Sequence, residues 1–185
     1  MNDGDRPEQV MVEAPFSLAY DDGSTNSLRG ARALLVFKVA GQRYGLPVGD
    51  ILRIVEMVAI SQLPQAPAFI AGVVDFHGQV IPVVDLRRRF QLPACPYTLR
   101  TPIVIGRLHG RVMGLIVDEV QEVVQLRPEQ IKPTDQVLGE LMGQKTRYIG
   151  AVARSDEGLL LLLDPPSLLT PGEAAFLRVP EFVSG

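Results

Sequence analysis

Few residues of this chain have the types and spacing that catalysis requires. Asp85 and Asp164 each follow an apolar run, and two such carboxylates could pair for general acid–base chemistry. Asp118 and Glu119 form a second acidic pair. No glycine-rich phosphate loop, nucleophile elbow or metal-ligand spacing in the sequence accompanies either pair. The position of Asp85 is better explained as the cap of a short helix, so we predict that the protein is not an enzyme.

The cysteine and histidine content limits what the chain can bind. Among 185 residues there are one cysteine and two histidines. Cys95 alone cannot form an internal disulfide or a thiolate-rich zinc site, and two histidines make a multi-histidine metal site a poor hypothesis. We predict neither a metal nor another cofactor.

The only basic run, Arg87-Arg88-Arg89, raises nucleic-acid binding as an alternative function. The sequence pI of about 5.4 and the absence of tryptophan argue against it, because single-strand binders combine a basic groove with aromatic stacking platforms. We interpret the run as a solvated helix face or a contact to a protein. A small-barrel nucleic-acid-binding module stays as the less favoured alternative.

Charge separates the first 30 residues from the rest. Residues 1–30 hold six acids and two bases, a net charge of −4, whereas the other 155 residues hold 15 acids and 16 bases, a net charge of +1. This composition predicts a mobile acidic tail, with a docking peptide around Phe16, Leu18 and Tyr20 as the alternative. The first residues lack the basic start and apolar run of a secretory signal, which favours a cytoplasmic protein.

One uncharged stretch is long enough to raise the question of membrane insertion. It covers residues 57–74, eighteen positions without a charged side chain. Pro64 and Pro67 interrupt it, and a continuous apolar helix is therefore a poor fit. We predict no direct insertion into a membrane.

From residue 33 onward, short β-type runs alternate with glycine-containing turns, the pattern of small barrels rather than of a layered α/β sheet. Four hairpins are predicted, with turns at Ala40-Gly41, His77-Gly78, His109-Gly110 and residues 155–158. Near the end of the chain, Thr170 and Glu173 have the spacing of a capping box, which predicts a C-terminal helix.

The two halves of this region resemble each other. Residues 44–55 align with residues 113–124 at a shift of 69 positions, so that Gly45 meets Gly114 and Val48 meets Val117. Each half is too small to bury a generous core alone. We therefore predict two related barrels that share an apolar seam, and this seam would form a groove for a partner.

Three stretches resemble the CheW-like domain family: residues 37–48, residues 70–86 and, in the second half, residues 114–120 followed by 150–164. The resemblance covers roughly residues 33–170. It implies a mainly β fold of two tandem five-stranded SH3-like barrels with few short helices. We expect a CheW-like domain over residues 31–180 with intertwined subdomains at roughly 33–100 and 101–170, and a C-terminal helix and tail over 171–185.

The resemblance also implies a function without chemistry. Members of the family are scaffold adaptors in chemotaxis signal transduction, at cytoplasmic receptor arrays. They couple the cytoplasmic tip of methyl-accepting chemoreceptors to the regulatory domain of a CheA-type histidine kinase, and they contact other CheW-like domains. Carried over by motif, the receptor-binding groove falls on Leu35, Val48, Ile51, Ile54 and Val117, which could equally be ordinary core residues.

The surface that faces the kinase is harder to place than the groove. The proline-interrupted segment before the second hairpin is the candidate, with Ile60, Leu63 and Pro64 as its contact residues. A packed loop without a partner is the alternative interpretation.

One turn departs from the family pattern. Many family adaptors have Asn-Leu-Arg-Gly at the second hairpin turn, where the arginine is implicated in receptor coupling, whereas this chain has Asp75-Phe76-His77-Gly78. A histidine that is mostly neutral near pH 7 cannot offer the bidentate fork of a guanidinium. We include His77 in the predicted receptor surface. The alternative is a specialised adaptor of a pathway other than swimming, such as surface motility, pilus or second-messenger control.

Overall fold

The computed structural model describes residues 33–108, 110–134 and 146–177. The predictions for the acidic segment 1–30 and for the last eight residues therefore lie outside the described residues.

The described residues form mainly β structure. The strands are β1 (Ala33–Val39), β2 (Gln42–Pro47), β3 (Ile51–Glu56), β4 (Ile70–Phe76), β5 (Gln79–Asp85), β6 (Pro102–Leu108), β7 (Arg111–Ile116), β8 (Glu119–Gln125), β9 (Ile131–Pro133), β10 (Ile149–Ser155) and β11 (Gly158–Leu163). Two short α-helices are α1 (Leu86–Arg89) and α2 (Pro171–Phe176). Short 3-10 helices cover Val48–Asp50, Pro128–Gln130 and Pro165–Leu168.

The strands build two sheets. One has five strands in the order β3-β6-β7-β5-β4, and the other has six in the order β8-β1-β2-β11-β10-β9. This architecture confirms the predicted fold of two small β units with few helices. Turn residues explain much of it locally: Ala40 and Gly41 adopt φ of 50° and 79°, and His77 and Gly78 adopt 53° and 79°, as two-residue hairpin turns require.

Three of the predicted hairpins are confirmed in full, as β1–β2, β4–β5 and β10–β11. The fourth is present as β6–β7, although His109 of its turn lies outside the described residues. The C-terminal helix is also confirmed. The Thr170 hydroxyl accepts a hydrogen bond from the Glu173 N–H, and the Glu173 carboxylate accepts one from the Thr170 N–H.

Each of the two sheets contains strands from both of the ranges 33–100 and 101–170. Strands β1 and β2 of the first half lie in one sheet with β8 to β11 of the second half. Strands β6 and β7 of the second half lie in the other sheet with β3, β4 and β5. Two parallel contacts, β2 with β11 and β7 with β5, and two antiparallel contacts, β1 with β8 and β3 with β6, make this exchange. Each sheet therefore combines strands from both halves.

The repeated glycines lie at these parallel contacts. Gly45 pairs with Leu162, and a Cβ atom at Gly45 would meet its Cδ2 at 2.9 Å. Gly114 pairs with Val83, and a Cβ atom there would meet Cγ2 of Ile103 at 2.8 Å. Glycine at both positions lets side chains of the neighbouring strands lie close to the backbone.

The second sheet contains one strand more than the five predicted. Its extra strand is β9, which lies between β8 and β10 in the chain. Ile131 of β9 packs against the core of this sheet, and β9 pairs with β10. Pro128 shortly before this strand and Pro133 at its end argue against a strand in the sequence, since proline cannot donate a hydrogen bond to a sheet.

The largest core cluster lies between the two sheets and draws on both, with Phe37 and Leu46 from the first half and Leu115 and Leu163 from the second. Two smaller clusters lie within the individual sheets. In the described part of the chain, no helix is long and apolar enough to cross a membrane.

Candidate functional site

The five apolar residues predicted to form a groove all belong to the cluster between the sheets. Leu35 and Val117 are core residues, with 5% and 2% of their surface exposed. Val48, Ile51 and Ile54 are half-buried and pack against that cluster from its edge. The structure thus brings the predicted residues together, but only these three present apolar surface to solvent.

Local geometry explains how three elements converge at this edge. Pro47 ends β2, and Val48 opens the 3-10 helix that leads into β3. Strand β3 is at the edge of the five-stranded sheet, where Ile54 pairs with Val104 of β6. Val117 belongs to the second half of the chain, and its N–H donates to the Pro102 carbonyl at 3.2 Å. We call the half-buried set Val48, Ile51 and Ile54 the seam edge.

The turn at His77 is rigidly built. The Gly78 N–H donates to Oδ1 of Asp75 at 2.7 Å, and the ring of Phe76 lies edge-on to the His77 imidazole with a centroid distance of 4.5 Å. The imidazole Nε2 lies 3.2 Å from Nη1 of Arg53 on β3. A guanidinium is thus present beside this turn, supplied by a neighbouring strand. Sequence reasoning missed Arg53 because the contact joins residues 24 positions apart.

The predicted kinase-facing residues lie on a segment packed against β4. Ile60 and Leu63 are half-buried against two different core clusters, whereas Pro64 is exposed. Ser61 exchanges backbone hydrogen bonds with Val73 at 2.8 and 2.9 Å. Gly72 permits this approach, because its φ is +147° and a Cβ atom there would clash with the backbone of the segment.

Asp118, considered above as part of a catalytic pair, holds the two sheets together. Its carboxylate accepts two hydrogen bonds from Arg87 of α1, at 2.7 and 2.8 Å, and one from the Ala40 N–H at 2.6 Å. The hydrogen bond to Asp118 raises the pKa of Arg87. Its neighbour Glu119 forms an ion pair with Lys38 at 3.7 Å. Both acids therefore have structural partners.

Of the other two candidate acids, Asp85 caps α1 as predicted, and the backbone N–H of Asp164 donates to the Tyr148 carbonyl at 2.8 Å. Asp85 is buried, and its carboxylate accepts hydrogen bonds from the Arg88 N–H at 3.2 Å and from the Tyr97 hydroxyl at 2.5 Å. Burial and this hydrogen bond raise the pKa of Tyr97. Cys95 is exposed. Within the described ranges, no group of three or more histidine, cysteine, aspartate or glutamate side chains is placed to hold a metal ion.

The basic run is not the solvated helix face that the sequence predicted. Arg87 pairs with Asp118, Arg88 with Asp85 at 3.3 Å, and Arg89 with Glu173 at 2.8 Å. An acidic partner for each arginine weakens the nucleic-acid alternative, because a phosphate would have to displace an existing carboxylate.

Arg89 is the most buried of the three and connects α1 to α2. Two of its nitrogens donate to the Glu173 carboxylate at 3.1 and 2.8 Å. Its guanidinium also lies over the ring of Phe69 at 3.9 Å and that of Tyr148 at 5.0 Å. Burial alone would raise the pKa of Glu173, but the hydrogen bonds from Arg89 and Thr170 together hold it below its ordinary value.

The fold and this surface define a class of protein: a small β scaffold in which the candidate acids Asp85, Asp118 and Glu119 hold structural contacts and which has a half-buried apolar edge. The family model described as CheW-like domain matches residues 33–172. A chemotaxis protein CheW of Klebsiella aerogenes is 30% identical over 146 residues, covering 77% of this chain and 84% of that protein. A probable chemotaxis protein CheW of Rhizobium etli is 27% identical, covering 79% and 92%.

A solved structure gives the same result. The scaffolding protein TtCheW from Thermoanaerobacter tengcongensis matches with a TM-score of 0.65 and 29% identity, covering 72% of this chain and 88% of that one. The chain belongs to the CheW-like domain family. Its function is that of a coupling and scaffold adaptor in chemotaxis signal transduction.

Proposed function

We propose that this adaptor couples the cytoplasmic tip of a chemoreceptor to the regulatory domain of a CheA-type histidine kinase, at cytoplasmic receptor arrays and without catalysing a reaction. The observation that carries the proposal is the seam edge, where the half-buried residues Val48, Ile51 and Ile54 keep part of their apolar surface accessible at one edge of the core. A receptor tip is a helical surface, and an apolar edge accepts such a helix by groove packing.

In this proposal the seam edge and the turn at His77 form the receptor surface. Leu35 and Val117 support it from below as core residues, because neither is exposed enough to contact a helix directly. Strand β3 connects the two parts, since it carries Ile51, Ile54 and also Arg53, which contacts His77.

The kinase contact is assigned to a different surface, the segment that carries Ile60, Leu63 and Pro64. Pro64 is the residue of this set that a partner can reach without unpacking the core. Separate surfaces are what an adaptor needs, because both partners must be bound at once. Other CheW-like domains are further partners in the same arrays.

The test is a pull-down of purified receptor tip and kinase regulatory domain by wild-type protein and by three variants. Val48→Glu places a charge on the seam edge and should abolish receptor binding while kinase binding remains. Pro64→Glu should do the reverse. Leu159→Glu is the control, because Leu159 is 55% exposed and lies on β11 of the other sheet. Binding of neither partner by the wild type would refute the proposal.

A second experiment addresses the histidine turn. His77→Arg restores the arginine seen in many family adaptors, and receptor-dependent kinase activation is the readout. We expect activation to rise, because a second guanidinium would join that of Arg53 at the turn. An unchanged response would remove His77 from the receptor surface.

A further inference from the structure

The N-terminal segment joins the folded part of the chain next to the seam edge. Strand β1 begins at Ala33, and its second residue, Leu34, pairs with Pro47. Val48 follows Pro47 directly, and β1 contacts the 3-10 helix that Val48 opens. The segment of 32 residues before Ala33 therefore joins the folded part beside the surface assigned to the receptor.

The charge of the folded part favours one side of the molecule for this segment. Residues 48–117, which build the five-stranded sheet and α1, hold seven bases and four acids, a net charge of +3. The described residues of the six-stranded side, 33–47, 118–134 and 146–177, hold six bases and eight acids, a net charge of −2. Two of the seven bases on the five-stranded side, Arg87 and Arg89, are already paired with acids of the other side. A segment with a net charge of −4 therefore has a weak electrostatic preference for the five-stranded side.

The segment also contains the apolar side chains that such a surface binds. Phe16, Leu18 and Tyr20 alternate with small residues, and acids stand on both sides of them at Glu13 and Asp21. Twelve residues lie between Tyr20 and Ala33, and the thirteen steps from one Cα to the next allow a span of up to about 43 Å at full extension. This reach is ample for residues 16–20 to cover an edge that adjoins the start of β1.

We propose that residues 16–20 dock on the seam edge and compete there with the chemoreceptor, so that the acidic segment regulates the adaptor from within the same chain. Docking itself is supported by the position at which the segment joins β1 and by the segment's apolar side chains and reach. Its consequence for receptor binding rests on the proposed function. A tethered competitor acts at a high effective concentration, so that even weak contacts occupy the surface.

The chain contains no tryptophan, and Phe16→Trp in the full-length protein is therefore a clean reporter of docking. A segment docked about two-thirds of the time lowers the acrylamide quenching constant of the introduced tryptophan about threefold, and weakens receptor binding by the same factor. Asn26→Trp is the matched control, since it lies between the docking residues and β1 and should stay fully accessible.

Two perturbations should release the reporter. Val48→Glu in the same chain removes the docking surface, whereas Leu159→Glu on the other sheet should leave the protection unchanged. High salt should also release it in part, because attraction between the segment and the five-stranded sheet is screened. Equal quenching at positions 16 and 26, or protection that survives Val48→Glu in a protein with unchanged circular dichroism, would overturn the proposal.

Measurement of receptor binding is an independent test of the competition. Leu18→Ser combined with Tyr20→Ser leaves the folded part untouched and should tighten binding of the purified receptor tip about threefold. Protection of the reporter without any change in receptor affinity would overturn the competition. Failure of the wild type to bind any receptor tip would refute the proposed function, while the fluorescence result would still decide whether the segment docks.

Discussion

The ion pair between Arg89 and Glu173 permits a quantitative prediction for the substitution Glu173→Gln. Removing one partner of a buried pair costs about 3–5 kcal/mol. Here the side chain of Glu173 is 24% exposed and that of Arg89 only 5% exposed. Glutamine keeps one acceptor, and the rings of Phe69 and Tyr148 still face the guanidinium. We therefore expect a loss of about 2 kcal/mol in the free energy of unfolding, below the cost for a fully buried pair and within the range for a hydrogen bond to a charged group.

Urea unfolding at pH 7, followed by far-ultraviolet circular dichroism, measures this loss directly. A decrease of about 2 kcal/mol corresponds to a midpoint lower by about 4–8 °C in thermal unfolding of a chain of this size. Glu119→Gln is the control, because its ion pair with Lys38 is 3.7 Å long and Glu119 is 57% exposed. Exposed pairs contribute about 0–1 kcal/mol.

The pH dependence gives a second, independent check. The pKa of Glu173 is lower in the folded protein than its ordinary value, so the unfolded chain binds more protons in acid. The stabilisation is therefore complete above the unfolded pKa of about 4.3 and is lost as the pH falls through the folded value. The difference between wild type and Glu173→Gln should shrink over that range. A difference below about 0.5 kcal/mol at pH 7, or one that grows in acid, would refute the assignment.

Three further predictions concern contacts that hold the sheets in place. Asp118→Ala removes both hydrogen bonds to Arg87 and should cost about 2 kcal/mol by urea unfolding; an unchanged midpoint would contradict its role. Gly72→Ala, with a φ of +147° and a backbone clash, should cost about 3 kcal/mol or more, seen as poor folding yield. Gly114→Ala would place Cβ 2.8 Å from a neighbouring side chain and should cost about 1–3 kcal/mol, whereas Gly49→Ala, with nothing within 4 Å, should be neutral or slightly stabilising by calorimetry.

Local features of the fold were predictable because each depends on neighbours in the chain. The turn at Ala40-Gly41 needs residues that tolerate positive φ, and the capping box at Thr170 satisfies backbone groups only three positions away. The alternation of apolar runs with such turns was enough to indicate small β units. The repeat was also visible in the sequence. Equivalent positions such as Gly45 and Gly114 are both glycine because a Cβ atom at either one would lie too close to a neighbouring side chain.

The candidate site was predictable only in part. All five groove residues converge on one cluster, as the repeat suggested, but the sequence could not tell Val117 in the core from Val48 at its edge. Both are apolar residues at equivalent repeat positions, and their difference in exposure depends on which strands cover them. The guanidinium beside the histidine turn was missed for a related reason: Arg53 lies on a separate strand, and nothing in its local sequence reports the contact.

The sequence by itself determined the hairpins, the caps, the two-unit pattern and the family. The tertiary structure alone decided which strands pair across the halves and which acids face Arg87 and Arg89. Strand exchange through β2–β11 and β5–β7 joins residues that are distant in the chain, so it depends on the total apolar surface buried rather than on any local preference. Ion pairs such as Arg89 with Glu173 follow from that exchange, since opposite charges can pair only after packing has placed them side by side.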